Sequence, residues 1–244
     1  MSGHSHARTV KHKKDADAKK RGQVFSKMAR LISIAVKEGG PNPDINSKLR
    51  MAIDAARSYN MPNDNIERAI KRSSGEGGEE ALEEFLFEAY GPKNTALLIE
   101  GITDNKNRAL GEVKKILNQH NGKMVGEGSV RWMFERKGCI SLDIKKQKEE
   151  LQNKEKLELT AIEAGAEDIV WNDNILDIYI NPEDLEKTKK NLEEKNIKIE
   201  SSSLDWKPKE TLDLDEKEKD SCLKLFDALD ENDDVQDIYS NLNI

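Results

Sequence analysis

The stretch Ser73-Ser74-Gly75-Glu76-Gly77-Gly78, followed closely by Glu84-Phe85-Leu86-Phe87-Glu88-Ala89, decides how this chain is read. Before it, apolar residues recur at three- and four-residue steps; after it, short apolar runs end in turn residues. The glycine- and serine-rich segment is a linker, and the change of period across it is a change of fold class. Upstream, Val24, Met28, Leu31, Ile32 and Ala35 form one stripe in a helix over residues 15–38, which Gly39-Gly40-Pro41 stops. Asn46 is placed to cap a second helix carrying Leu49, Ile53 and Ala56 on one face. Pro62 breaks the chain again, and residues 63–72 form a third short helix with Ile66, Ala69 and Ile70 inward. Three short amphipathic helices with short connections make a small bundle.

Downstream, residues 84–89 and 96–102 read as strands joined by Tyr90-Gly91-Pro92-Lys93-Asn94. Residues 107–119 read as a helix with Leu110, Val113, Ile116 and Leu117 inward. Residues 123–125 and 129–134 read as two further strands around Gly126 and Gly128, glycines that suit positive φ in hairpins or bulges. The recipe repeats: a strand near 139–143, a helix near 156–164, a strand at 175–180, a helix at 182–195 capped by Asn181, and a strand at 197–204. That order points to a ferredoxin-like sandwich. Residues 205–237 carry 13 Asp/Glu against 5 Lys, yet Leu223, Leu225, Phe226 and Leu229 give them an apolar face, so a packed helix is expected. Residues 235–242 can add a last strand. The fold class is α+β and multidomain.

Charge is divided along the chain. Residues 1–72 hold 16 Lys/Arg and 7 Asp/Glu, a net of +9, whereas residues 73–244 hold 24 and 40, a net of −16. A phosphate backbone responds to the local field rather than to the overall charge of −7. Arg8, Lys11, Lys13, Lys14, Lys20, Arg21, Lys27 and Arg30 are the candidate nucleic-acid contacts, and on a helix Lys20, Lys27 and Arg30 lie off the apolar stripe. The competing reading is a solvated terminus that only aids solubility. Nucleic acid is the expected partner, either DNA or the RNA of a ribosome, with a protein partner on the acidic remainder. Asp104 or Asn105 caps the helix that follows. Arg108 in that helix's first turn opposes its dipole, which points to a contact with an external group.

Other chemistries find little support. His4, His6 and His12 match no metal-ligand spacing. Gly91 and Gly126-Glu127-Gly128 lack the third glycine or the Gly-Lys-Ser/Thr ending of a nucleotide loop. The two cysteines, Cys139 and Cys222, lack a CxxC partner. No nucleophile, base and orienting group assemble, so no enzyme and no cofactor are expected. The longest apolar run, 31–36, is too short to span a bilayer, and the N-terminus has no signal-peptide core. A cytoplasmic protein is expected.

Nine short strings, in order, resemble the YebC/PmpR family, which includes the mitochondrial translational activator of cytochrome oxidase. They are Gly3-His4-Ser5, Lys11-His12-Lys13-Lys14, Asp17-Ala18-Lys19-Lys20-Arg21-Gly22, Leu49-Arg50-Met51-Ala52-Ile53-Asp54, Asn60-Met61-Pro62, Asp64-Asn65-Ile66-Glu67-Arg68-Ala69-Ile70, Tyr90-Gly91-Pro92, Thr103-Asp104-Asn105-Lys106-Asn107-Arg108 and Gly128-Ser129-Val130. The resemblance implies a basic arm and bundle over residues 1–75 and an α+β domain from residues 79–137 plus 205–244. A ferredoxin-like domain, residues 138–204, is inserted into it. It also implies a non-enzymatic regulator, either a DNA-binding transcription factor or a translation factor at the ribosome. A third reading, from the charge division, is a protein–protein adaptor whose bundle docks on acidic residues, including its own 205–237. Deleting that segment would then unmask the bundle if the fold survived. The chain departs from the family at His6-Ala7, where Lys-Trp is usual, and at Lys93-Asn94, where a glycine pair is usual.

Overall fold

The computed structural model describes residues 18–75 and 82–243, with backbone alone for residues 18–20. In chain order the elements are α1 (Ala18–Gly39), α2 (Ser47–Ser58), α3 (Asn63–Ser73), β1 (Glu83–Tyr90), β2 (Ala96–Thr103), α4 (Lys106–Gln119), β3 (Lys123–Val125) and β4 (Phe134–Asp143). There follow α5 (Lys154–Ala164), β5 (Asp168–Asn172), β6 (Ile175–Ile180), α6 (Leu185–Glu194), β7 (Ser201–Pro208), α7 (Glu216–Asp230) and β8 (Val235–Ser240). One compact unit is formed by Glu135–Lys207; the residues on either side of it form the other.

The bundle closes on Met28, Ile32, Ala35, Val36, Leu49, Ile53, Ala56 and Ile66, with Val24 and Leu31 partly buried against them. Asn46 joins two helix ends. Its Oδ1 accepts from Leu49 N at 3.0 Å, capping α2, while its Nδ2 donates to Ala35 O at 2.7 Å and Gly40 O at 2.8 Å, satisfying carbonyls at the end of α1. The two glycines before it have different reasons. Gly40 takes φ +82°, the left-handed stop, whereas a Cβ on Gly39 would meet Asn46 Cγ at 2.6 Å.

In the same unit the first sheet has the order β3-β1-β2-β8, antiparallel throughout. Phe85, Phe87 and Ala89 of β1 and Leu97 and Ile99 of β2 face a core completed by Val113 and Leu117 of α4 and Leu225, Phe226 and Leu229 of α7. The acidic segment does fold as a packed helix, started by a capping box between Asp215 and Glu218. Its strand β8 pairs with β2 through Leu97↔Ser240 and Glu100↔Asp237, with a bulge at Gly101. A Cβ at Gly101 would lie 2.1 Å from the Phe85 ring and 2.3 Å from Asp234 O, so only glycine allows that approach.

Several sequence expectations need correction. Leu110 is 39% exposed, and Ala109 takes its place inward beside Val113 and Leu117. Residues 129–134 are not a strand: they contain a 3-10 turn, Arg131–Met133, and β4 begins only at Phe134. Of the glycines expected at positive φ, Gly128 has φ +83°, but Gly126 does not have positive φ, and neither does Gly91 in the β1–β2 connection. The left-handed positions of the β1–β2 connection are Lys93 (φ +58°) and Asn94 (φ +60°). The glycine pair that the resemblance implies at these two positions would suit their left-handed backbone.

The inserted unit runs β4-α5-β5-β6-α6-β7 with sheet order β5-β6-β4-β7, the ferredoxin-like arrangement. Strand β5 is absent from the sequence reading because it is an edge strand, half-buried along most of its length with little alternation. Asn181 does not cap a helix through its side chain; its Nδ2 donates to Glu167, and a 3-10 turn, Pro182–Asp184, precedes α6. Ile197 lies in the turn that closes α6, outside both α6 and β7. Asn196 takes φ +61° and Ile197 N donates to Leu192 O at 3.0 Å, a left-handed helix stop with a buried apolar residue behind it.

Candidate nucleic-acid interface and the Asp234 charge cluster

Of the eight candidate cations, Arg8, Lys11, Lys13 and Lys14 lie outside the described residues, as does the side chain of Lys20. Arg21 is exposed on the first turns of α1. Lys27 and Arg30, one turn apart on α1, are not turned to solvent as the stripe suggested. They face the acidic end of α7 and the loop into β8.

Lys27 Nζ donates to Asp230 O at 2.6 Å and to Asp230 Oδ1 at 3.2 Å, and its side chain is only 9% exposed. Arg30 Nη1 donates to Asp234 Oδ1 at 2.5 Å, to Asp233 O at 2.9 Å and to Ile102 O at 3.2 Å. The second oxygen of Asp234 accepts from Arg108 Nη2 at 2.9 Å and from the buried Thr103 hydroxyl at 2.9 Å. One carboxylate, itself 4% exposed, therefore joins α1 of the bundle to β2 and α4 of the sheet layer. Burial alone would raise the pKa of Asp234, but the donors Arg108, Arg30 and Thr103 hold it below 3.8. A second tie is Lys48 of α2, which reaches Glu38 at 2.8 Å and Glu84 of β1 at 2.7 Å. Burial would lower the Lys48 pKa; the two carboxylates raise it.

Arg108 meets its charge demand within the chain. Its Nη2 also donates to Asp104 Oδ1 at 2.6 Å, and Asn105 supplies the cap of α4, accepting from Arg108 N at 3.0 Å. The unfavourable place of Arg108 on the helix dipole is thus offset by Asp104 and Asp234. The open pocket around the cluster is lined by Arg30 and Arg108 but also by Glu112, Glu231, Asp233 and Asp234, so its formal charge is negative. It is a poor receptor for a phosphate.

The sequence reading passes over Arg57 at the end of α2, and Arg68, Lys71 and Arg72 in the last turns of α3; all four are exposed. The signal is there, since residues 68, 71 and 72 lie off the Ile66/Ala69/Ile70 face at helical spacing. At the end of α3 such cations also suit the helix dipole. Nothing among these groups forms a nucleophile with a base. Cys139 and Cys222 are buried, and burial pushes the Cys222 thiol up. Among the described residues no group of His, Cys, Asp and Glu is placed to hold a metal ion, and no helix is long and apolar enough to cross a membrane. The adaptor reading placed the bundle against residues 205–237, and contacts of that kind are present at Asp230, Asp233 and Asp234. Deleting the segment would also remove Leu225, Phe226, Leu229 and Val235 from the core, so point substitutions are the sound way to probe it.

A family model described as TACO1/YebC protein N-terminal domain matches residues 5–76, and one described as TACO1/YebC second and third domain matches residues 82–242. A relative in Halothermothrix orenii named "Probable transcriptional regulatory protein" is 44% identical over 100% of this chain and 96% of its own. One of similar name in Thermoanaerobacter pseudethanolicus is 41% identical, covering 100% and 98%. A crystal structure of a conserved hypothetical protein from Aquifex aeolicus superposes with a TM-score of 0.87 at 42% identity, covering 96% of this chain and 95% of that one.

Proposed function

Because the chain belongs to the TACO1/YebC family, we propose that it is a non-enzymatic, cytoplasmic regulator of gene expression that binds nucleic acid, of the DNA-binding transcriptional type. The names of its relatives support regulation at family level. The observation that carries nucleic-acid binding is the division of charge, +9 over residues 1–72 against −16 over the rest. Arg8, Lys11, Lys13, Lys14, Lys20 and Arg21 supply the phosphate contacts, with Arg57, Arg68, Lys71 and Arg72 as a second exposed set. Lys27 and Arg30 fix the bundle to its acidic neighbour, and the acidic layers repel the backbone and orient the protein on it.

A second reading, RNA of the ribosome, is favoured by α3. Its exposed first turns carry the carboxylates Asp64 and Glu67, which would repel the two phosphate backbones that flank a recognition helix seated in a duplex major groove. Competition separates the two. Labelled protein bound to ribosomes is challenged with duplex DNA at equal phosphate concentration. Retention on ribosomes selects the translational reading, and transfer to DNA selects the transcriptional one. The arm itself is tested by salt. Neutralising Lys13, Lys14, Lys20 and Arg21 together is expected to flatten the plot of log affinity against log salt by about 0.9 for each duplex phosphate the arm ceases to neutralise. An unchanged slope rules out the arm as the phosphate grip.

A further inference from the structure

A single carboxylate holds the segment over residues 126–133 from beneath. Glu88 lies on β1 between Phe87 and Ala89, which face the core, so strand alternation turns its side chain to the opposite side of the sheet. There its Oε1 accepts from Gly128 N at 2.6 Å, and its Oε2 accepts from Val130 N at 2.7 Å and Arg131 N at 2.9 Å. Val130 is fully buried and plugs the segment into the domain.

The group this fixed segment presents is Trp132, 66% exposed. Its Nε1 donates to Ser129 O at 3.0 Å, so the indole's one polar atom is satisfied inside the segment and the ring stands in solvent. Leaving so large an apolar side chain outside the core forgoes stabilisation that burial would give. Exposed Arg131 is its chain neighbour. Exposed Lys209 is brought alongside by the 2.9 Å hydrogen bond it donates through its backbone N–H to Met133 O. A fixed exposed ring on a segment that carries or adjoins exposed basic residues is the chemistry that takes an unpaired base and its phosphates.

We infer that Trp132 is a stacking plate for an unpaired base of single-stranded nucleic acid, with Arg131 and Lys209 serving the neighbouring phosphates. The inference rests on the nucleic-acid-binding reading above and adds a contact remote in sequence from the arm. Bases inside a duplex are already stacked, so the plate discriminates strands by pairing state.

Full-length wild type, Trp132→Ala and Trp132→Phe are titrated at equal salt against a fluorescent unstructured single strand and against a blunt duplex. Trp132→Ala is expected to lose about 5- to 100-fold in affinity for the single strand, with duplex affinity and the thermal unfolding midpoint unchanged. Trp132→Phe is expected to keep most of the single-strand affinity. Equal single-strand affinity of Trp132→Ala and wild type overturns the plate alone, as does an equal loss on both probes. Wild type that binds neither probe overturns the nucleic-acid reading and the plate with it.

Discussion

Asp234→Ala is expected to lower stability by about 2–4 kcal/mol, read as a drop in the urea midpoint. The substitution leaves two guanidinium groups and the buried Thr103 hydroxyl without the carboxylate that accepts from all three. Removing one partner of a fully buried ion pair typically costs about 3–5 kcal/mol. Arg30 and Arg108 are 27% and 44% exposed, so both regain some water and the expected loss falls below the top of that range. Asp234→Asn keeps an acceptor for one guanidinium and should lose roughly half as much. A change in either variant below about 0.5 kcal/mol would show that the cluster contributes little to holding α1 against the sheet layer. The same carboxylate gives a pH signature. Its folded pKa lies below its ordinary value of 3.8, so its contribution is complete above that value and is lost as pH falls through the depressed one. Wild type should therefore lose more stability below pH 3.8 than Asp234→Asn does.

Glu88→Gln is the second large effect, expected at about 2–3 kcal/mol. The carboxylate offers two acceptor oxygens to three backbone donors, and all three bonds are charge-assisted. A glutamine amide can turn its oxygen to Gly128 or to the Val130 and Arg131 pair, but its NH2 must then face an N–H on the other side. At least one of the three donors loses its partner, and all three lose a charged acceptor. Burial alone would raise the pKa of Glu88, while the three N–H groups hold it below 4.5, so in wild type this contribution also fades only as pH falls below that value. Hydrogen exchange provides the check. The amides of Gly128, Val130 and Arg131 should lose protection in Glu88→Gln while those of β1 and β2 keep theirs. Unchanged protection at all three would mean that the segment is held by Val130 packing alone.

These two sites show where reading the sequence stops. Local signals are legible: the Asn46 cap, the Gly39-Gly40 stop, the strand over residues 175–180 and the apolar face of the acidic helix all depend on neighbours within a few residues. The segment over residues 129–134 misleads because Val130, Trp132 and Phe134 alternate with Ser129, Arg131 and Met133, which is a strand pattern. The N–H groups of Val130 and Arg131 go instead to Glu88, more than forty residues earlier, and no periodicity encodes that. Lys27 carries the same lesson for the site. Its helical position off the stripe is plain from the spacing, but Asp230, which buries it, lies 203 residues away. The expectation that Arg108 serves an outside partner meets the same difficulty, because Asp234 is 126 residues further on.

The separation between α1 and its carboxylates also sets a clock. At roughly 5–20 residues per second of synthesis, about 10–40 seconds pass between the emergence of Lys27 and that of Asp230, 203 residues later. Strand β8, which completes the first sheet beside β2, arrives later still. Throughout that interval the nascent helix displays Lys27 and Arg30 without the aspartates that cover them in the finished protein. The growing chain is thus a stronger polycation at its leading end than the released one. Its tendency to adhere to nearby RNA should be greatest while it is still attached to the ribosome, and should fall when the last turn of α7 docks.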